Sequence, residues 1–500
     1  MKKIINFVKN SVLYPFILTI LFTIFALISG IIFEINSDYF LVILIIFYVL
    51  LVQGVLHFMH RIMGLIFRPP FLANANTTMF HKYRLFSKLM APLPAIYLIL
   101  NSEILIFIAA GAMMLFIFRI NYMRTKTIKQ ETAAFLENNE IDHFVFTAGR
   151  ATSAYQTNQW IPILEQSEHS FAVIVKNFSI AKAIQTDSVP VFVAPSMYSM
   201  EQLIENGAKS ILYTGNSIHN IHLLRFTKLR HIFINHGESD KVVNQNKVML
   251  AYDHLFLGGK LAEDRLRASG CDLRADQAIH IGRPQTELSL EKRSLEHGKI
   301  QKILYAPTWE GVVDDADYSS VRLEGFQMLQ KLSEQTDCEI CIKFHPLTGS
   351  RNSDRAVHKK KIEDFAAKHN ITIYDRQTPI EELMNWSDAM VCDISSVLNE
   401  YLYTNKPMIL TTFDSNLEGD LSERFPSSKA CYLLDNSEKL VEIVGSLENE
   451  NPEKIRDREE LLEYSLSVSK GSALERFDEA LGSISKAVEL SRVEYDENTR

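Results

Sequence analysis

Five hundred residues exceed what one ordinary core serves, which points to two or three domains. Hydrophobic residues make up 47% and charged residues 22%, a globular composition that excludes a disordered chain. Residues 1–130 hold 12 Lys/Arg against 3 Asp/Glu, whereas the rest hold 40 against 57. A basic, apolar head suits an anionic membrane face, and the acidic remainder excludes bulk nucleic-acid binding.

Val12–Phe33 and Tyr39–Met59 are apolar runs of 22 and 21 residues with no charge inside. At about 1.5 Å per residue each covers ~30 Å, one bilayer core. The link between them holds Glu34 and Asp38, while Lys2, Lys3 and Lys9 precede the pair and Arg61, Arg68, Lys82, Arg84 and Lys88 follow it. Positive-inside logic makes this a hairpin with both ends cytoplasmic. Leu93–Phe118 is apolar but broken by Asn101, Ser102 and Glu103, with Arg119, Arg124, Lys126 and Lys129 behind it. A re-entrant pair of short helices satisfies the charge rule better than a plain third span, which stays open. The membrane region is thus 1–130, and the chain reads as a multi-pass membrane protein with its remainder in the cytoplasm.

From residue 131 short β-branched or aromatic runs alternate with helix-length stretches. Strands are predicted at Phe144–Thr147, Phe171–Val175, Val191–Val193, Ser210–Tyr213, His231–Ile234, His254–Leu257 and Ala278–Ile281. A second series follows at Ile303–Tyr305, Glu339–Phe344, Ile371–Tyr374, Ala389–Cys392, Met408–Thr411 and Cys431–Leu433. Apolar strands separated by helices imply parallel sheets covered on both faces. The expected fold class is α/β, two doubly wound domains, 131–285 and 286–500, behind the membrane-embedded helical region. Ligands bind such sheets at the carboxyl ends of strands, so the strand exits are where chemistry belongs.

The first such exit is Ile234-Asn-His236-Gly237, with Lys241 four residues on. Gly237 permits a tight turn, and an imidazole accepts a proton from an alcohol at neutral pH. Lys241 is placed to meet a phosphate. The plainer alternative is a loop histidine bonded to a nearby carbonyl. Gly282-Arg283-Pro284 and Ala306-Pro307-Thr308-Trp309 are further exits with turn residues. Cys338 and Cys341 have CxxC spacing in a strand-like run, which turns their thiols to opposite faces. With only five cysteines in the chain, they read as buried thiols in a reducing compartment.

Lys343 and His345 alternate with apolar residues before Pro346 stops the strand, so both project to one side and suit a diphosphate. A solvent-facing strand edge is the alternative. Asp393-Ile-Ser395-Ser396 leaves another apolar strand and opens a helix that carries Glu400. Helix N-termini present N–H groups to phosphate, the two hydroxyls add donors, and Glu400 suits a ribose diol. An ordinary serine cap is the alternative. There is no P-loop, HExxH or GxSxG pattern and no legible metal site; no cofactor is expected, and Mg²⁺ from solvent stays open.

Taken in order, these marks resemble the CDP-glycerol glycerophosphotransferase family, the teichoic-acid primase and polymerase type. The resemblance rests on His236-Gly237 with Lys241, Gly282 and Pro284, Ala306-Pro307-Thr308-Trp309, Lys343 with His345-Pro346, and Asp393-Ile-Ser395-Ser396 followed by Lys406-Pro407. It implies a Rossmann-like, GT-B-like fold with an acceptor-side first domain and a donor-side second domain. The implied donor is a CDP-polyol, the leaving group CMP, and the acceptor a lipid-linked or polymer hydroxyl. The product would be a cell-wall or capsule polymer. It also implies catalytic roles for His236 and His345 and phosphate contacts from Thr308, Ser395 and Ser396. Gly237, Gly282, Pro346 and Asp393 would shape the site. Two places depart from the family pattern: Glu238-Ser239-Asp240 follow His-Gly where Thr and Pro are usual, and Glu310 stands where Arg is usual. They touch the acceptor side and leave polyol and acceptor open. A GT-B glycosyltransferase and a non-catalytic membrane scaffold are the competing functions.

Overall fold

A computed structural model describes Phe71–Leu72, Arg119, Met123 and residues 126–205, 207–237, 247–292, 299–311, 317–375, 378–413 and 421–499. The expected spans at 12–33, 39–59 and 93–118 lie outside the described residues. Among the described residues no helix is long and apolar enough to cross a membrane. The chain divides into two compact units, Met1–Ala154 with Phe171–Ala208, and Tyr155–Ser170 with Lys209–Arg500.

The first unit carries β1 (Phe71–Leu72), β2 (His143–Thr147), β3 (Phe171–Val175) and β4 (Val191–Val193). β2, β3 and β4 pair in parallel, and β1 adds to β4 antiparallel. β2, β3 and β4 are buried along their whole length, as near-continuous apolar runs require. The helix Met197–Ile204 opens on a capping box in which Ser196 and Ser199 exchange hydroxyl and backbone N–H contacts.

The second unit holds two parallel arrays. β5 (Ser210–Tyr213), β6 (Arg230–Phe233), β7 (His254–Leu257) and β8 (Ala278–His280) lie side by side in chain order. β9 (Lys302–Ala306), β10 (Glu339–Ile342), β11 (Thr372–Ile373), β12 (Ala389–Cys392), β13 (Met408–Thr411) and β14 (Tyr432–Leu434) form a six-stranded sheet. Its order is β11-β10-β9-β12-β13-β14, with every pair parallel. Strand order reverses between β9 and β12, and the crevice at such a switch is where this architecture binds ligands.

The six-stranded sheet buries apolar side chains on both faces. Cys341 lies in one cluster with Leu304, Met390 and Leu410, whereas Cys338 packs against the other, around Ile303, Val391 and Ile409. The CxxC thiols therefore point apart, and Cys338 Sγ meets Ile300 O instead, at 3.4 Å. Lys406 is also structural. Its buried ammonium donates to Met384 O, Asn385 O and Ser387 O at 2.9, 2.8 and 2.7 Å, closing the carboxyl end of the helix Ile380–Trp386. At its amino end the long helix Ala473–Thr499 packs on the β5–β8 array, where Phe477 meets Trp160 and Phe256. Gly282 sits beneath that helix at φ +75, and a Cβ there would stand 2.9 Å from Leu466 O. Only glycine fits that position.

Candidate functional site

The loop after β6 is wound by its own asparagine. Asn235 adopts a left-handed φ of +53, accepts from the His236 N–H at 2.9 Å and donates through Nδ2 to Gly237 O at 2.6 Å. Trp160 Nε1–H donates to Asn235 O at 2.6 Å. His236 Nδ1 lies 2.8 Å from Thr214 O, a carbonyl that only accepts, so Nδ1 carries the proton. Nε2 then presents its lone pair toward the Tyr155 hydroxyl at 3.3 Å and the Gln156 amide at 3.4 Å. Burial pushes the imidazole pKa down to about 4; the Thr214 carbonyl opposes that and the Arg283 charge adds to it. At neutral pH this ring is an uncharged base with a fixed tautomer.

Arg283 ties that loop to the second sheet. Its buried guanidinium donates to His236 O at 3.0 Å and to Glu400 Oε1 at 3.4 Å. Gly237 comes up against the start of the helix Ser396–Tyr401, and a Cβ there would be 3.1 Å from both Ser396 Cβ and Oγ. Glycine at 237 therefore permits the close approach of the two strand exits. His236, Gly237, Ser396 and Glu400 are brought together, with Arg283 between them.

Asp393 organises the switch point. It is fully buried; Oδ2 accepts from the Thr308 N–H at 2.7 Å and the Ser320 N–H at 3.1 Å, and Oδ1 accepts from the Thr411 hydroxyl. Burial raises its pKa against the pull of these donors. The carboxylate thus fastens the exits of β9, β12 and β13 to one another. Ser395 occupies the N-cap position with extended backbone, yet its hydroxyl donates to Asp393 O at 3.2 Å instead of capping the helix. Thr308 is buried, its N–H spent on Asp393 and its carbonyl accepting from Ser319 Oγ at 2.9 Å.

His345 has the opposite tautomer from His236. Its Nδ1 accepts the Leu347 N–H at 3.1 Å, so Nε2 holds the proton in the neutral ring. The ring stacks on Trp309 with centroids 5.7 Å apart and 14° between planes, and the Arg351 guanidinium lies 5.9 Å over the same indole. Pro346 starts the turn that follows. Glu310 holds that turn by accepting from the N–H groups of Gly349, Arg351 and Asn352 at 2.9, 2.7 and 3.1 Å. Burial raises its pKa, but these donors outweigh it, so Glu310 stays ionised. Glu310→Gln should therefore loosen the 346–352 turn, seen as faster amide exchange at Gly349, Arg351 and Asn352.

Lys343 turns away from the serine pair: its ammonium donates to Asp375 O and, at 2.8 Å, to Thr378 O, and burial lowers its pKa. Lys241 lies outside the described residues. Sequence reasoning missed Tyr155, Gln156 and Thr214, some 80 and 22 residues from His236, for which no local signal exists. It noted Arg283 and Glu310 only as neighbours of marks, although an Arg between Gly and Pro at a strand exit was a usable signal.

Residues 270–481 match the sequence profile of the family described as CDP-Glycerol:Poly(glycerophosphate) glycerophosphotransferase. A teichoic acid glycerol-phosphate primase of Bacillus subtilis is 27% identical over 209 residues, 39% of this chain and 49% of that protein. The teichoic acid ribitol-phosphate polymerase TarK of Staphylococcus aureus is 24% identical over 161 residues, 29% of each. This chain therefore spans about half or less of the length of these relatives. The wall teichoic acid polymerase TagF superposes with a TM-score of 0.49 at 16% identity, covering 75% of this chain and 97% of that one.

Proposed function

We propose, from the match of residues 270–481 to the profile of the CDP-glycerol:poly(glycerophosphate) glycerophosphotransferase family, that this chain transfers a polyol phosphate, glycerol phosphate foremost, from a CDP-activated donor. The acceptor is a lipid-linked or polymer hydroxyl in cell-wall polymer synthesis, and the chain works from the cytoplasmic face of a bacterial membrane. The observation that carries this reading is the lone pair of His236 Nε2, fixed by Thr214 O on a loop whose Gly237 abuts Ser396.

In this mechanism the acceptor hydroxyl gives its proton to His236 Nε2, and its oxygen attacks the phosphorus that bears the polyol. The bond from that phosphorus to the oxygen of CMP breaks, and CMP leaves with its electron pair. Phosphoryl transfer asks mainly for alignment and neutralised charge. The N–H groups at the start of Ser396–Tyr401, the Ser395 and Ser396 hydroxyls and the Nε2–H of His345 supply donors for that charge. Lys343 joins them only by releasing the carbonyls of Asp375 and Thr378. Glu400 meets the ribose while paired to Arg283.

Full-length protein in phospholipid vesicles, given CDP-glycerol, CDP-ribitol and a set of UDP-sugars, should release CMP from a CDP-polyol and no UDP. Release of UDP from a sugar donor would make it a glycosyltransferase, and binding without any release would make it a scaffold. Replacing Ser395 and Ser396 together with Ala should weaken CDP-donor affinity about tenfold, corresponding to ~1–3 kcal/mol of hydrogen bonding to charge. Unchanged affinity by calorimetry in the folded double variant removes the serines from the donor site. A cysteine at position 36 should be labelled from outside intact cells and one at position 139 protected; labelling at 139 overturns the re-entrant reading of 93–118.

A further inference from the structure

We propose that Tyr155 makes the site choose an alcohol over water: its hydroxyl covers the His236 lone pair until an acceptor displaces it, so that a bound donor is not hydrolysed. This rests on the transferase reading above and adds a residue that decides which nucleophile reaches the base. The helix Ala154–Asn158 lies against the end of β5 and the His236 loop. Tyr155 stands edge-on to the imidazole, ring centroids 5.5 Å apart and planes at 89°, with its hydroxyl 3.3 Å from Nε2. Gln156 brings its amide to 3.4 Å from the same nitrogen. A Cβ at Gly215 would stand 2.5 Å from Gln156 Oε1, so that amide rests directly on the backbone there. The Thr157 hydroxyl meets that of Thr214 at 3.2 Å, and Trp160 Nε1–H holds Asn235 O. Tyr155 is thus the exposed member of a segment pinned at 156, 157 and 160.

The needs of a folded chain do not account for this placement. The tyrosine is 45% exposed and water could satisfy its hydroxyl, whereas only buried groups require protein partners. The hydroxyl nevertheless turns inward, where desolvation raises its pKa against a hydrogen bond from Gln156. It keeps its proton and offers it to the lone pair that Thr214 leaves open on the ring. An O–H group therefore already stands where the acceptor hydroxyl must stand. Water reaching that point with a donor bound would give its proton to Nε2, and its oxygen would bond the phosphorus that bears the polyol. The bond from that phosphorus to CMP would break, CMP would leave with the electron pair, and free polyol phosphate would be lost. Water gains nothing by displacing Tyr155, because it exchanges one O–H contact for another. An acceptor brings contacts along the rest of its length, and these can drive the phenol aside. At 3.3 Å the hydrogen bond is long enough to yield to them.

The test follows the fate of CDP-glycerol with the full chain in phospholipid vesicles, Tyr155→Phe beside the parent. Phenylalanine keeps the edge-on ring and removes the hydroxyl alone, at a side chain exposed on its outer side. Without acceptor, Tyr155→Phe should release CMP and free glycerol phosphate about two- to tenfold faster than the parent, the span that one neutral hydrogen bond sets. With a lipid-anchored oligo(glycerol phosphate) as acceptor, the acceptor KM should fall by a similar factor, and a larger share of the donor should end as free glycerol phosphate. Loosened packing would move both quantities the other way. Adding His236→Ala to Tyr155→Phe should abolish the extra hydrolysis, because the water uses the same base. Hydrolysis that is unchanged in Tyr155→Phe, or that persists without His236, overturns the inference. So do hydrolysis and transfer that fall together, which would make the phenol a helper of the base. Glycerol phosphate found on Tyr155 of the parent by mass spectrometry also overturns it, since the hydroxyl would then be an acceptor itself. A parent that transfers while Tyr155→Phe hydrolyses no faster defeats the gate alone. If neither chain releases CMP with or without acceptor, the transferase reading fails and the gate falls with it.

Discussion

His236→Ala should lower the single-turnover rate by ~10²–10⁴, the range for a lost general base, while CDP-donor affinity stays near that of the parent chain. His345→Ala should lose donor affinity and turnover together. The two rings differ in the nitrogen that holds the proton: Thr214 O makes His236 Nε2 an acceptor, and the Leu347 N–H makes His345 Nε2 a donor. The pH dependence separates base from bystander. With its pKa pushed down to about 4, His236 stays unprotonated as pH falls from 7 through 5, and kcat/KM should decline only near pH 4, not near the ordinary 6.5. The same depression contributes stability that is full above pH 6.5 and is lost as pH falls toward 4. An acid limb near 6.5 would mean that the working base is a solvated histidine. Donor affinity lost in His236→Ala but kept in His345→Ala would reverse the two assignments.

The strands were legible because their pattern is redundant. Runs such as Phe171–Val175 and Val191–Val193 are apolar throughout, and only a fully buried parallel strand accommodates that over so short a length. The ends were less so: His231–Ile234 was expected where the strand is Arg230–Phe233, and Glu339–Phe344 where the ladder stops at Ile342. Ladder pairing depends on a neighbour's length, which one strand's residues do not encode. Within the site, glycines and the serine pair were visible because their chemistry is local. The destination of a long side chain was not. Lys343 sits one position from the apolar face and two from His345, yet whether its ammonium meets a ligand or the carbonyls of Asp375 and Thr378 depends on a loop more than 30 residues away. Arg283 shows the same limit: nothing beside it in sequence announces that His236 O and Glu400 Oε1 converge on it.

Arg283→Met should be the most damaging single change for folding in this region and should also move the acid limb of the pH profile upward. The guanidinium and the Glu400 carboxyl are 4% and 10% exposed, so removing the cation takes from a buried carboxylate the guanidinium it pairs with. Breaking such a pair from one side costs about 3–5 kcal/mol, far more than an exposed pair contributes. The His236 carbonyl loses a donor in the same step. Glu400→Gln should cost less, because the amide oxygen still accepts from Arg283 and no uncompensated negative charge remains. The electrostatic consequence is independent of stability. Arg283 helps hold the His236 pKa down, secondary to burial, so without it the imidazole protonates at higher pH. Denaturant unfolding gives the first number and the kcat/KM profile of the surviving folded fraction gives the second. Arg283→Lys separates them: it keeps the charge and thus the low acid limb, but cannot reach both acceptors as the planar fork does, so it should remain destabilised. An Arg283→Met chain that unfolds within about 1 kcal/mol of the parent, with its acid limb unmoved, would mean that the His236 loop and the Glu400 helix are held together by something other than this guanidinium.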